Sequence, residues 1–240
     1  MYKGNLFNKA SLHDIKEMFI DAELPAYLFD QVAHLKLISN YNALFQRFKK
    51  LPEVLKNSIL HPWQLIVLSG ETSAFRSAIN EGLVDKWSQD VLEMNPLHYA
   101  LLSGSADQAQ IALSLGIPWD SNSLLGFNIG HFAALSGQPQ QIDLVNTLNK
   151  GDMLNKVAAG GETWLHFAAW SGDIETVEKV YQLTHDVHQE DLNQLNAANY
   201  ANQSGNQRVI YFFAKKGLIA NPLRFTADDK EQDSVMRFQS

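Results

Sequence analysis

Thr163-Trp164-Leu165-His166-Phe167-Ala168-Ala169-Trp170-Ser171-Gly172 decides the fold, because the chain repeats it. Asn95-Pro96-Leu97-His98-Tyr99-Ala100-Leu101-Leu102-Ser103-Gly104 and Asn128-Ile129-Gly130-His131-Phe132-Ala133-Ala134-Leu135-Ser136-Gly137 stand before it in the same register. His61-Pro62-Trp63-Gln64-Leu65-Ile66-Val67-Leu68-Ser69-Gly70 precedes those, and Asn196-Ala197-Ala198-Asn199-Tyr200-Ala201-Asn202-Gln203-Ser204-Gly205 follows. The second residues, Pro62, Pro96, Ile129, Trp164 and Ala197, are spaced 34, 33, 35 and 33. A fainter copy, Val32-Ala33-His34-Leu35-Lys36-Leu37-Ile38-Ser39-Asn40, lies upstream, so the penultimate Ser recurs at 39, 69, 103, 136, 171 and 204. A fixed period of this length is the mark of stacked repeat units.

Each unit reads as two short helices. Pro96 suits a first helical position, where no amide donor is needed. Glycine at 70, 104, 137, 172 and 205 ends the first helix, because a left-handed cap costs glycine little. A second helix follows, as in Asp173-Ile174-Glu175-Thr176-Val177-Glu178-Lys179-Val180-Tyr181, where Ile174, Val177, Val180 and Tyr181 share a face. Gly82, Gly116 and Gly217 stop that helix, twenty residues after Pro62, Pro96 and Ala197. One unit cannot bury its own apolar face, so units stack. The expected architecture is all-α: about five to six helix–turn–helix units over 31–217. Residues 1–30 read as an N-terminal helical cap, and 218–240 as a C-terminal cap helix and tail. Ser11-Leu12-His13-Asp14 opens a helix to about Glu23, ahead of Pro25; Thr226 caps a helix from Ala227 to Phe238.

The pattern resembles the ankyrin repeat, with its Thr-Pro-Leu-His-x-Ala consensus and period of about 33 residues. Asn95-Pro96-Leu97-His98-Tyr99-Ala100 and Thr163-Trp164-Leu165-His166-Phe167-Ala168 carry the resemblance best. Thr184-His185-Asp186-Val187-His188 falls on the family's connector, and Leu154-Asn155 echoes its end. The resemblance implies a solenoid of L-shaped units with β-hairpin fingers, binding partner proteins along its concave side.

Composition narrows the chemistry. The chain has 45% hydrophobic and 19% charged residues, enough apolar material for a core. Its net charge of −7 argues against nucleic acid as a partner. There are no cysteines, hence no disulfide framework, thiolate metal site or Cys nucleophile. The start lacks a secretory apolar run, and no stretch reads as a membrane span, so a soluble, cytoplasmic protein is expected. Recurrent His98, His131 and His166 look like three metal ligands, but equivalent positions in a stack lie roughly 10 Å apart. Zinc needs its nitrogens ~2.0–2.1 Å from one point, so a structural role is expected instead. The His185–Asp191 cluster reads as an ordinary connector. No phosphate-cradling glycine motif and no Gly-x-Ser-x-Gly occur. The expectation is therefore no enzyme, no cofactor and no metal, with an enzyme whose site lies in the first thirty residues or in an unfamiliar constellation as the lesser alternative.

The partner-binding residues are expected where apolar side chains break the polar pattern. One before each repeated Ser stand Ile38, Leu68, Leu102, Leu135, Trp170 and Gln203. One turn earlier stand Leu35, Leu65, Tyr99, Phe132, Phe167 and Tyr200. Residues three apart share a helix face, so the two columns predict an apolar strip, on the concave side by the resemblance. Leu124, Leu125 and Phe127 in one finger extend it, with Val91, Leu92 and Met94 in another. A protein partner would use Leu102, Leu135, Trp170, Tyr99, Phe132, Phe167, Leu124, Leu125 and Phe127. Two further resemblances bear on the setting. Leu24-Pro25-Ala26-Tyr27-Leu28-Phe29-Asp30-Gln31-Val32 is similar to the start of an F-box, the alternative of a ubiquitin-ligase adaptor. The 18 Asn, 16 Gln and acidic tail resemble ankyrin proteins that intracellular bacteria deliver into host cells, implying a host protein as partner.

Overall fold

The computed structural model describes residues 62–90, 92–149 and 156–221. The expected helices at 11–23 and 227–238, the copy at 32–40, the F-box-like stretch at 24–32 and Leu154-Asn155 lie outside the described residues. Among those described, ten α-helices and no strand are found. They come in pairs: α1 (Pro62–Leu68) with α2 (Thr72–Asn80), α3 (Pro96–Ser103) with α4 (Ala106–Ser114), α5 (Ile129–Leu135) with α6 (Pro139–Asn149). Then come α7 (Trp164–Ser171) with α8 (Ile174–Leu183), and α9 (Ala197–Ser204) with α10 (Gln207–Lys215). The described residues are all-α, as the periodicity predicts.

The first helices pack in chain order, α1 on α3, α3 on α5, α5 on α7 and α7 on α9. In the second row α2 meets α4, α6 meets α8 and α8 meets α10. Small residues permit this. Ala100, Ala133, Ala134, Ala168 and Ala169 are all fully buried between neighbouring helices. The second helices contribute Phe75, Ile142, Val145, Val177, Val180, Val209 and Phe213 to the same continuous core.

Local chemistry starts and stops each helix. The side-chain oxygens of Asn95, Asn128 and Asn196 each accept the backbone N–H groups two and three residues on, filling donors that a helix start leaves empty. Pro96 occupies the first turn of α3 as expected. Gly104 ends α3 at φ 75°, and a β-carbon there would meet Gln138 Cγ at 2.9 Å. The left-handed conformation is what favours glycine at that position.

One pair of positions departs from the repeat in a coupled way. Where α3 carries Leu97, α5 has Gly130; where α3 carries Pro96, α7 has Trp164. A β-carbon on Gly130 would lie 1.8 Å from the Trp164 indole. The buried indole fills the volume a leucine occupies elsewhere, and its Nε1–H donates to Asn128 Oδ1 at 2.9 Å. Overpacking of this kind costs ~1–3 kcal/mol or more. Gly130→Ala therefore lowers the urea midpoint, and it should cost less in a Trp164→Ala background, where the indole no longer fills the space. Equal, additive losses in the double-mutant cycle would contradict the coupling.

Candidate partner-binding face

Before each first helix from α3 onward the chain makes a tight turn, a finger. Glu93 N–H donates to Asp90 O at 3.0 Å, Gly126 to Ser123 at 2.8 Å, Gly161 to Ala158 at 2.9 Å and Gln194 to Asp191 at 2.9 Å. The fourth residue of each turn has positive φ, whether it is Gly126, Gly161, Glu93 or Gln194. Adjacent fingers join edge to edge. Leu124 N–H donates to Leu92 O, Ala159 to Leu125 O and Leu192 to Gly160 O, at 2.7, 2.9 and 2.8 Å.

The histidines tie helices to fingers. In α3, the His98 Nδ1 accepts from its own N-cap, Asn95 N–H, at 3.0 Å, which leaves the proton on Nε2. That nitrogen points at Ser121 O of the following connector, at 3.3 Å. His131 repeats the geometry between Asn128 N–H and Glu162 O, and His166 between Thr163 N–H and Leu195 O. In α9 the amide Asn199 takes the place of the imidazole: its Oδ1 accepts from Asn196 N–H and its Nδ2 donates to Asn221 O. Each histidine therefore bridges consecutive units, the role its spacing predicted. Among the described residues, no group of three or more His, Asp or Glu side chains is placed to hold a metal.

Two fingers carry a buried carboxylate that sequence reasoning missed. Asp90 Oδ1 accepts from Leu92 and Met94 N–H, while Oδ2 accepts from Gln64 Nε2 and the Tyr99 hydroxyl at 2.8 and 2.7 Å. Asp191 does the same with Asn193 and Leu195 N–H and the Tyr200 hydroxyl. The middle units have Ser123 and Ala158 at the carboxylate position, and the residue nine on is then Phe132 or Phe167. Tyrosine appears where a carboxylate awaits its hydroxyl, and phenylalanine where none does. That Asp–Tyr covariation within the chain was the available signal. Burial holds the Asp90 carboxyl above the usual aspartate range against these hydrogen bonds, and burial together with Asp191 raises the Tyr200 hydroxyl.

These contacts overturn most of the expected wet strip. Tyr99, Phe132 and Phe167 are buried core residues. Tyr99 meets Trp63 edge-on at 5.3 Å, Phe132 packs on His98 at 4.9 Å, and Phe167 on Phe127 at 5.1 Å. The aromatic column is thus the joint between units. Leu102 and Leu135, 6% and 2% exposed, belong to the same buried cluster. Phe127, Leu92 and Met94 are buried too, Leu125 is half-buried against that core, and Val91 lies outside the described residues. Trp170 is half-buried, 5.8 Å from the Tyr200 ring. Of the nine residues, Leu124 stands out in solvent, 49% exposed. Its counterpart two fingers on, Leu192, is 77% exposed, and Val157 is also exposed beside the finger between them. Trp87 and Trp119 project from the connectors. Spacing foretold these tips at Leu124 and missed Leu192, Val157 and the two tryptophans.

No family model matches the chain, and no curated protein matches it. Among the described residues no helix is long and apolar enough to cross a membrane.

Burial pushes His98 and His131 down to about 4 and lowers His166 as well. A histidine depressed below its unfolded value of ~6.5 stabilises the fold fully above that pH and loses this as pH falls toward 4. Asp90 and Glu162, both raised chiefly by burial, act with the opposite sign, so the informative quantity is a difference. His131→Asn, which copies Asn199, should flatten the fall in Tm between pH 6.5 and 4; parallel curves would contradict the bridge. Leu135→Asp should cost about 3 kcal/mol or more in urea unfolding, since it buries a carboxylate among apolar groups. An unchanged midpoint would return that residue to the surface.

Proposed function

We propose that this chain is an ankyrin-type solenoid that works without catalysis, holding a partner protein against its row of finger tips. The observation that carries the reading is the exposure of Leu124, Leu192 and Val157 on fingers locked together by backbone hydrogen bonds. The finger turns are otherwise economical. Their inward residues, Met94, Phe127 and Ala158, are buried, so large apolar groups at the tips do nothing for the core. Soluble monomers seldom leave such groups clustered without a use. A rigid row also suits binding, because little order remains to be imposed when a partner arrives. The repeat period, the N-cap boxes, the left-handed glycine stops and the pairwise helix packing support the ankyrin assignment. Trp87 and Trp119 are also exposed, on the connectors, and aromatics are prominent in interface hot spots.

Each tip leucine, fully covered by a partner, is worth ~1.5–3 kcal/mol before the costs of association. Leu124→Asp together with Leu192→Asp should therefore weaken capture of bound proteins by at least about tenfold. Circular dichroism and the melting temperature should stay as in the parent chain, since both side chains stand in solvent. Undiminished capture by the double variant would remove the finger tips as the binding face.

A further inference from the structure

The finger tips stand on segments where one sign of charge prevails. In the fingers and the connectors leading into them, residues 82–95, 115–128, 156–163 and 184–196, the exposed acidic side chains are Asp85, Glu93, Asp120, Asp186 and Glu190. Lys86 and Lys156 are the exposed lysines there, and those segments hold no arginine. The second helices are mixed. Asp107, Asp143, Glu175 and Glu178 are exposed alongside Arg76, Arg208 and Lys215, and Lys179 pairs with Asp143 at 2.6 Å. The acid lies close to the tips along the chain. Glu190 precedes Leu192 by two residues, Asp120 precedes Leu124 by four, and Glu93 follows Leu92, whose carbonyl accepts from Leu124 N–H at 2.7 Å. Two of these carboxylates are fixed in place: Asp186 accepts from His188 N–H at 2.9 Å and Glu190 from Asn221 Nδ2 at 2.7 Å. The connectors also hold a cation of their own, Lys86 Nζ lying over the exposed Trp87 ring at 4.8 Å, as the negative face of an indole favours.

We propose that the finger tips take a basic, apolar polypeptide segment of the partner, its apolar side chains against Leu124 and Leu192 and its lysines or arginines toward Glu93, Asp120, Asp186 and Glu190. The proposal rests on the reading of the tips as a binding face and adds to it the sign of the partner's charge. An acidic segment would meet like charge beside both leucines. Exposed charges around an apolar contact steer the encounter and set its salt dependence more than they add affinity, and salt screens them beyond ~8–10 Å at ordinary ionic strength. The leucines therefore hold the segment and the carboxylates select it.

Three labelled synthetic peptides of equal length and leucine content test this on the full chain by fluorescence anisotropy. They differ only in whether lysine and arginine, glutamate, or serine fill the remaining places. The basic peptide should bind at least about tenfold more tightly than the serine peptide at low salt, the acidic one most weakly, and the difference should shrink as salt is added. Glu93→Gln, Asp120→Asn, Asp186→Asn and Glu190→Gln together should abolish that preference, while the amides keep the hydrogen bonds these side chains accept. Asp107→Asn, Glu175→Gln and Glu178→Gln on the second helices should leave it unchanged. Equal binding of the basic and serine peptides, a preference that survives the four amides, or no binding of the basic peptide up to roughly millimolar concentration would each overturn the proposal. Leu124→Ser with Leu192→Ser, which removes the tips without adding charge, separates the two claims. If the serine peptide binds as tightly as the basic one and this pair weakens both, the charge preference alone falls. If the basic peptide binds this pair as tightly as the parent chain, the binding face falls and the proposal with it.

Discussion

From the second helix pair onward, the described stack depends on one side chain per unit, three residues into the first helix, that serves two units at once. His98, His131, His166 and Asn199 each accept the N–H of their own N-cap and reach with a donor to a carbonyl of the segment that follows. The bond closes a helix start that would otherwise bury unfilled polar groups, and it fixes how far the next unit stands from the last. The side-chain end is buried and the carbonyl end half-buried, so a missing partner would leave a buried polar group without its hydrogen bond. An imidazole does this best when neutral with its proton on Nε2, and burial keeps it so. An asparagine has the same donor and acceptor a short distance apart, which is why the fifth unit manages without a ring.

Around that fixed bond the units vary by exchanging complementary pairs. Carboxylate with tyrosine becomes serine or alanine with phenylalanine, at the same nine-residue separation. Leucine with proline becomes glycine with tryptophan across the α5–α7 contact. Each exchange conserves volume or polarity locally, so the register survives while the consensus fades.

The helix pairs, their order, the glycine stops and the histidine bridges were legible because each follows from local chemistry at a fixed spacing. The strip was not. Helical geometry puts Leu102 and Tyr99 on one face, yet the spacing is silent on what else lies against that face. Tyr99 turned inward because Asp90 offered its hydroxyl a partner; Phe132 and Phe167 followed because rings of the neighbouring unit and of Phe127 were there to meet them. Leu124 and Leu125 differ by one place in a turn, which sends one side chain to solvent and the other toward the core. Hydrophobicity cannot separate those two residues, whereas the backbone hydrogen bond from Leu124 to Leu92 does. What remains exposed is a set of finger tips, while the inner columns at Tyr99, Leu102, Phe132, Leu135 and Phe167 are buried.

Nitrogen–proton correlation spectra of the three buried imidazoles test the bridging bond most directly. Neutral Nε2–H tautomers that persist from neutral pH down to about 5, with protons that exchange slowly with water, are expected for His98 and His131, and His166 should titrate below the ordinary histidine value. Rings that interconvert between tautomers and titrate near the ordinary value of ~6.5 would contradict it, and the coupling between units would have to be sought elsewhere.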